Sequence, residues 1–194
     1  MREFLISQFG ENPGVRLFEL QQKRLARLVA ETKGKSKNQM KTLTKTILPR
    51  IALYQVLLEV PTEQPEAYRV IQKYLIEVVC DRMKKSYRLF EKLPAFYSIF
   101  RKIFTSSVVK SDNWDSKLLH SDREYFSLDI HKCLWYDACA ENKCPEICRL
   151  FCECDDINFG SLRKIAFIRN GSIGLGQSKC DFTFKAVRKS RGAV

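Results

Sequence analysis

Thiols dominate the side chains of this sequence that could do chemistry. Eight cysteines fall in 194 residues: Cys80, Cys133, Cys139, Cys144, Cys148, Cys152, Cys154 and Cys180. Six of them lie between positions 133 and 154. A deprotonated thiol is a nucleophile or a soft metal ligand. A reduced cysteine also packs as a small hydrophobe, and that is the ordinary fate of any single one. No two are spaced C-x-x-C, so a structural zinc site is not indicated. The sequence requires no cofactor and leaves a metal open. Polar groups stand close by in sequence: His131 before Cys133, Asp155 after Cys152, Asp181 beside Cys180, and Arg169 before the pair Asn170-Gly171. These spacings alone fix no unique reaction.

The elements that must position them follow from periodicity. Phe126, Leu128 and Ile130 alternate with Ser127, Asp129 and His131, which is strand behaviour. Period 2 places Asp129, His131 and Cys133 on one face. A short helix is expected from Pro145, with Cys144, Cys148 and Cys152 spaced by four along one side. Lys164–Arg169 reads as a strand, Asn170-Gly171 as a type I′ hairpin turn with both residues at positive φ, and Ser172–Leu175 as the return strand. A last strand covers Cys180–Val187, with Cys180, Phe182, Phe184 and Ala186 on one face.

The first half is helical. Apolar spacing predicts helices over 15–31, over 43–58 with a kink or fresh start at Pro49, and over 67 to about 90. Pro61-Thr62 ends the second, and Thr62 is placed to cap the next. Pro94 suits the first residue of a fourth helix carrying Phe96, Ile99, Phe100, Ile103 and Phe104. Ser106–Arg123 lacks periodicity and reads as a long loop. The fold class is α+β: a mostly helical N-terminal half packed on a small antiparallel sheet from the C-terminal half. Residues 1–194 read as a single domain, with a helical region over 1–105, a cysteine-rich α+β region over 125–187 and a basic tail over 188–194.

Composition excludes several classes. Apolar residues make up 45%, enough for a core and too many for general disorder. No run approaches the ~20 apolar residues of a membrane helix. The opening MREFLISQFGENPG lacks the apolar length and small-residue cleavage pattern of a signal peptide, so the expectation is a soluble cytosolic protein with reduced thiols. The net charge of +12 invites a nucleic-acid reading, but its distribution weakens it. Lys33, Lys35, Lys37, Lys41, Lys45 and Arg50 cluster without an acid, while Asp129–Asp156 holds seven acids against three bases. No nucleic-acid-binding module is present, and the basic stretch reads as a solvated helix face.

The order of pieces resembles a known family. A strand with Cys133 leads to a short helix and then to Phe151-Cys152-Glu153-Cys154-Asp155. A strand ending in Arg169, a turn with Gly176, and Cys180-Asp181-Phe182-Thr183-Phe184 follow. With Leu48-Pro49-Arg50-Ile51-Ala52-Leu53-Tyr54, this pattern is similar to the L-2-amino-thiazoline-4-carboxylic acid hydrolase family over roughly residues 45–187. The resemblance implies hydrolytic opening of a small cyclic substrate, in the named reaction 2-amino-thiazoline-4-carboxylate to N-carbamoyl-cysteine. Cys139, Cys144, Cys148 and Cys154 lie outside the family-like pattern.

Such a reaction needs a nucleophile, an acid for the leaving sulfur and a cation for the carboxylate. Cys133, Cys152 and Cys180 are candidate nucleophiles, and Asp155 or Asp181 a candidate general base or orienting group. Arg169 suits a carboxylate clamp through its planar fork. His131, sharing a face with Cys133, would lower its pKa. The partner implied is a small-molecule substrate. Two other readings stand beside it: a sensor holding a ligand or metal under the aromatic helix 94–105, and a protein meeting an anionic partner through Lys33–Arg50. The sequence leaves the oligomeric state open.

Overall fold

The computed structural model describes residues 1–60 and 64–187, with backbone only at 64 and 65. The cap expected at Thr62 and the tail 188–194 lie outside the described residues. In chain order the elements are α1 (Arg2–Phe9), α2 (Glu11–Glu31), α3 (Lys37–Lys45), α4 (Leu48–Glu59), α5 (Gln64–Tyr74), α6 (Asp81–Phe90), α7 (Phe96–Val108), β1 (Trp114–Ser121), β2 (Tyr125–Cys133), α8 (Leu134–Glu141), α9 (Cys148–Gly160), β3 (Ile165–Ile168) and β4 (Cys180–Ala186). A π-helical segment, Leu75–Cys80, joins α5 to α6, and short 3-10 turns occupy Pro145–Ile147 and Ile173–Leu175. Among the described residues no helix is long and apolar enough to cross a membrane.

The chain divides into two compact units. The first is Met1–Val79 with Leu134–Phe151; the second is Cys80–Cys133 with the chain from Cys152 onward.

The first unit is helical and centres on α4. Leu48, Ile51, Ala52, Leu53, Tyr54, Val56 and Leu57 are all buried, so α4 is apolar nearly all round, as a core helix must be. Pro49 falls in its first turn, where a missing N–H costs little, and the expected interruption is a fresh start. A capping box between Ser36 and Gln39 opens α3. α1, with no apolar stripe to announce it, packs on α2 so closely that a Cβ at Gly14 would lie 2.6 Å from the Ile6 backbone. The basic stretch is a solvated face: Lys33, Lys37, Lys41 and Lys45 are exposed. Lys35 pairs with Glu141 at 2.6 Å, and Arg50 lies over the Tyr74 ring.

The second unit holds the sheet, all antiparallel in the order β1-β2-β4-β3. Register pairs Phe126 with Phe184, Leu128 with Phe182 and Ile130 with Cys180, so these six share one apolar face. Phe96 and Phe100 of α7 and Phe159 of α9 join them in one buried cluster, with Phe104 packed against it. The aromatic residues of α7 therefore fill a core, with Phe104 and Phe184 rings 4.7 Å apart. Ile103, expected on that stripe, is instead 49% exposed.

Three expectations are corrected. Residues 106–123 are not one long loop, because α7 continues to Val108 and β1 covers Trp114–Ser121. β1 is an edge strand whose register shifts between Leu118 and His120, and this bulge breaks the alternation that marks a strand in sequence. Neither Asn170 nor Gly171 takes positive φ, so no type I′ turn forms there, and Ile173–Leu175 is a 3-10 turn and not a return strand. The partner of β3 is β4. Space at Gly171 is tight: a Cβ there would sit 3.0 Å from the Lys179 carbonyl oxygen. Finally, α9 begins only at Cys148, so Cys144 is not on a helical face with Cys148 and Cys152.

Candidate active site

Five of the expected residues converge in the second unit. Cys152 and Asp155 stand three apart on α9, hence on one side of the helix. Arg169 follows β3, and Cys180 begins β4. Cys133 ends β2 and reaches the group through a bulge. Trp114 pairs with Cys133, Asp115 with Lys132 and Ser116 with Ile130, which leaves His131 as the extra residue. His131 and Lys132 are both exposed, while Cys133 is half-buried and acts electrostatically on Asp155 and Cys180. The bulge thus overturns the strict alternation that put His131 and Cys133 on one face.

Arg169 ties the cluster together. Its side chain is only 4% exposed. Nη2 donates to the Cys152 carbonyl at 3.0 Å and to the Asp156 carboxylate. The guanidinium lies over the rings of Phe167 and Phe182, 5.9 and 5.7 Å from their centroids. Nη1 stands 3.8 Å from Asp155 Oδ2 and has no hydrogen-bond acceptor among the described residues. A buried donor without an acceptor is costly, so this one marks a place where an acceptor is wanted.

Protonation follows from the surroundings. Burial, reinforced by Cys152 and opposed by Arg169, pushes the Asp155 carboxyl well above the usual carboxylate range. A quarter of its side chain still reaches solvent. Burial also lifts the Cys180 thiol to about 11, against the Ile173 N–H that donates to its sulfur at 3.3 Å. The sulfur of Cys152 accepts from the Ser172 hydroxyl at 3.1 Å. Ser172 is 1% exposed, and nothing in a lone serine of the sequence announces it.

Asp181 lies beside Cys180 in the strand but is paired with Asp129, so its side chain leaves from the face opposite the phenylalanines. Its carboxylate accepts from the Asn170 N–H at 2.8 Å, the Asn170 side-chain amide at 3.0 Å and the Gly171 N–H. Burial raises its pKa, but the Gly171 and Asn170 donors outweigh this and hold it below its ordinary value. Asp181 therefore secures the loop after β3.

All eight cysteines are thiols; Cys133 and Cys152 are half-buried and the other six are buried. Cys139, Cys144 and Cys148 pack in the first unit. Cys80 and Cys154 hydrogen-bond to each other. Among the described residues no group of three or more His, Cys, Asp or Glu side chains is placed to hold a metal ion.

One end of the sheet in this α+β unit thus gathers thiols, a carboxyl whose pKa burial raises and a buried guanidinium. The chain belongs to the L-2-amino-thiazoline-4-carboxylic acid hydrolase family, whose model matches residues 38–184. That span contains every residue of the cluster and leaves out α1 and α2. No curated protein and no solved structure matches the chain.

Proposed function

We propose that this protein opens a small carboxylated ring of the 2-amino-thiazoline-4-carboxylate type by hydrolysis at the Cys152–Asp155–Arg169 cluster. The observation that carries the reading is the Nη1 group of Arg169, a buried cationic donor lacking an acceptor among the described residues, in the cluster that holds two half-buried thiols. A substrate carboxylate supplies that acceptor, and the fixed fork of arginine orients it.

In this reading Cys152 is the nucleophile. Its thiolate attacks C2, the carbon between ring sulfur and nitrogen. The C2–S bond breaks, the electron pair stays on the ring sulfur, and Asp155 supplies the proton that makes it a thiol. Water then attacks the carbamimidoyl carbon held on Cys152. One water proton returns to Asp155, the other ends on nitrogen, and the carbon–Cys152 bond breaks to free the thiolate and N-carbamoyl-cysteine. Net, one water is added. Cys180, held protonated by burial, and Cys133 wall the site. Thiols without disulfides suit a reducing compartment, and we place the protein in the cytosol.

The test is incubation of the purified protein with 2-amino-thiazoline-4-carboxylate. Release of one thiol per ring, with N-carbamoyl-cysteine identified by mass, is the expected outcome. A thiol yield no greater than that of the Cys152→Ser variant overturns the reading.

A further inference from the structure

We propose that Ser172 is a positioning residue that stabilises the ionised sulfur of Cys152, and that the loop Asn170–Gln177 is a latch built to hold its hydroxyl there.

Three observations place the hydroxyl and keep it in place. The Ser172 Oγ donates to Cys152 Sγ at 3.1 Å, and Ser172 is 1% exposed, so its hydroxyl is shielded from water while the half-buried Cys152 stays reachable. The loop has no β ladder to hold it. Its first backbone donors are instead taken by side chains: Asp181 accepts from the N–H groups of Asn170 and Gly171, and Gln177 Oε1 accepts from the N–H of Ser172 itself, while the N–H groups of Leu175 and Gln177 donate to the Ser172 carbonyl. The next N–H, of Ile173, donates to Cys180 Sγ at 3.3 Å. Two successive residues of one clamped loop thus present a donor to each of two thiols. Gly171 permits this, since a Cβ there would crowd both the Lys179 carbonyl and the Asp181 carboxylate.

A hydrogen bond donated to sulfur favours the thiolate. The other groups that face Cys152 do not do this work alone. Asp155, on its own helix, opposes ionisation when charged. Cys180, from β4, stays a neutral thiol below about 11. Cys133, from β2, acts on Asp155 and Cys180. Arg169 favours the thiolate, but its Nη2 is engaged by the Cys152 carbonyl and Asp156. The serine hydroxyl is a neutral donor aimed at the sulfur itself.

The inference rests on Cys152 being the nucleophile of the proposed reaction, but its test needs no substrate. The rate at which iodoacetamide alkylates Cys152 is followed against pH, with the modified peptide quantified by mass. Ser172→Ala is expected to move the midpoint up by about one pH unit and to slow alkylation at neutral pH about tenfold. Ser172→Thr, which keeps the hydroxyl, is expected to stay near the wild-type profile. Alkylation of Cys180, whose donor is a backbone N–H, is expected to be unmoved by Ser172→Ala. Coincident wild-type and Ser172→Ala profiles overturn the proposal. A shift shared equally by Cys180 overturns it too, since that is general loosening. If Ser172→Ala fails to fold, Asp181→Asn decides: it slackens the latch, an upward shift at Cys152 supports the proposal, and no shift overturns it. A negative ring-opening assay with a shifted alkylation profile removes the hydrolase reading and leaves this one standing.

Discussion

Nη1 of Arg169 lies 3.8 Å from Oδ2 of Asp155, close enough for attraction and too far for a hydrogen bond. The two come from different elements, the end of β3 and the middle of α9. The guanidinium is already held through Nη2, so it does not need Asp155 for its position. Burial meanwhile favours the protonated form of Asp155. The pair is thus an open arrangement, with a fixed cation and a carboxyl whose protonated form burial favours, beside the Cys152 thiol.

Replacing Arg169 with Lys tests the fixed cation. Lysine keeps the charge and loses the fork, along with the contacts to the Cys152 carbonyl and both rings. We expect KM for 2-amino-thiazoline-4-carboxylate to rise about 10- to 100-fold, the worth of a charged hydrogen bond, with a smaller change in kcat. Steady-state kinetics separate the two. A fall confined to kcat would place Arg169 at the reacting atoms and not at the carboxylate.

Asp155 makes stability depend on pH with a definite sign. Its pKa is raised in the folded protein, so above the ordinary carboxylate range the folded state holds a proton that the unfolded chain has lost. Stability therefore falls as pH rises from about 4 through the folded value. Asp155→Asn removes this dependence. Urea unfolding at a series of pH values is expected to show the variant gaining on the wild type as pH rises. A difference independent of pH would mean the carboxyl titrates normally.

Much of the fold is legible in the sequence, and what is not has identifiable causes. The stripes of α2, α4 and the α5–α6 segment, and the alternation of β2 and β4, are long and regular, and each forms the expected element. β1 and α1 escape because neither shows a clean period: β1 is a bulged edge strand and α1 rests on a close approach at Gly14. The site is half visible. Cys152 and Asp155 share a helix, so spacing alone joins them. The arrival of Cys133 depends on one inserted residue at His131, which reverses the period-2 assignment of faces for the residues after it. Ser172 escapes because its role comes from a loop clamped by Asp181 and Gln177, and a side-chain clamp has no periodicity.

The helical unit offers a stability test independent of any substrate. Leu75, at the start of the π-helical segment, is 2% exposed. Leu75→Ala is expected to cost about 2–5 kcal/mol by chemical denaturation. Gly14→Ala, which sets a methyl against the Ile6 backbone, is expected to cost about 1–3 kcal/mol. A change within about 0.5 kcal/mol at Leu75 would mean that its side chain stands outside any packed core.

Cys152 and Cys180 are separated by the same kind of substitution. Both become serine with little change in shape, yet the two sulfurs sit differently. Cys152 is half-buried, accepts from a hydroxyl and acts electrostatically on the Asp155 carboxyl. Cys180 is 6% exposed, belongs to the phenylalanine cluster and is pushed up to about 11 by burial. A thiol so held is a poor nucleophile at neutral pH, because only the thiolate attacks. Cys152→Ser is therefore expected to lower kcat by about 10³-fold or more while the melting temperature stays near wild type. Cys180→Ser buries a hydroxyl in an apolar cluster, so it is expected to cost about 1–3 kcal/mol of stability and to keep measurable turnover. Kinetics and thermal melting of the two variants side by side read both quantities. The reverse pattern, with turnover abolished at Cys180 and retained at Cys152, would move the nucleophile to the strand and make Cys152 the wall.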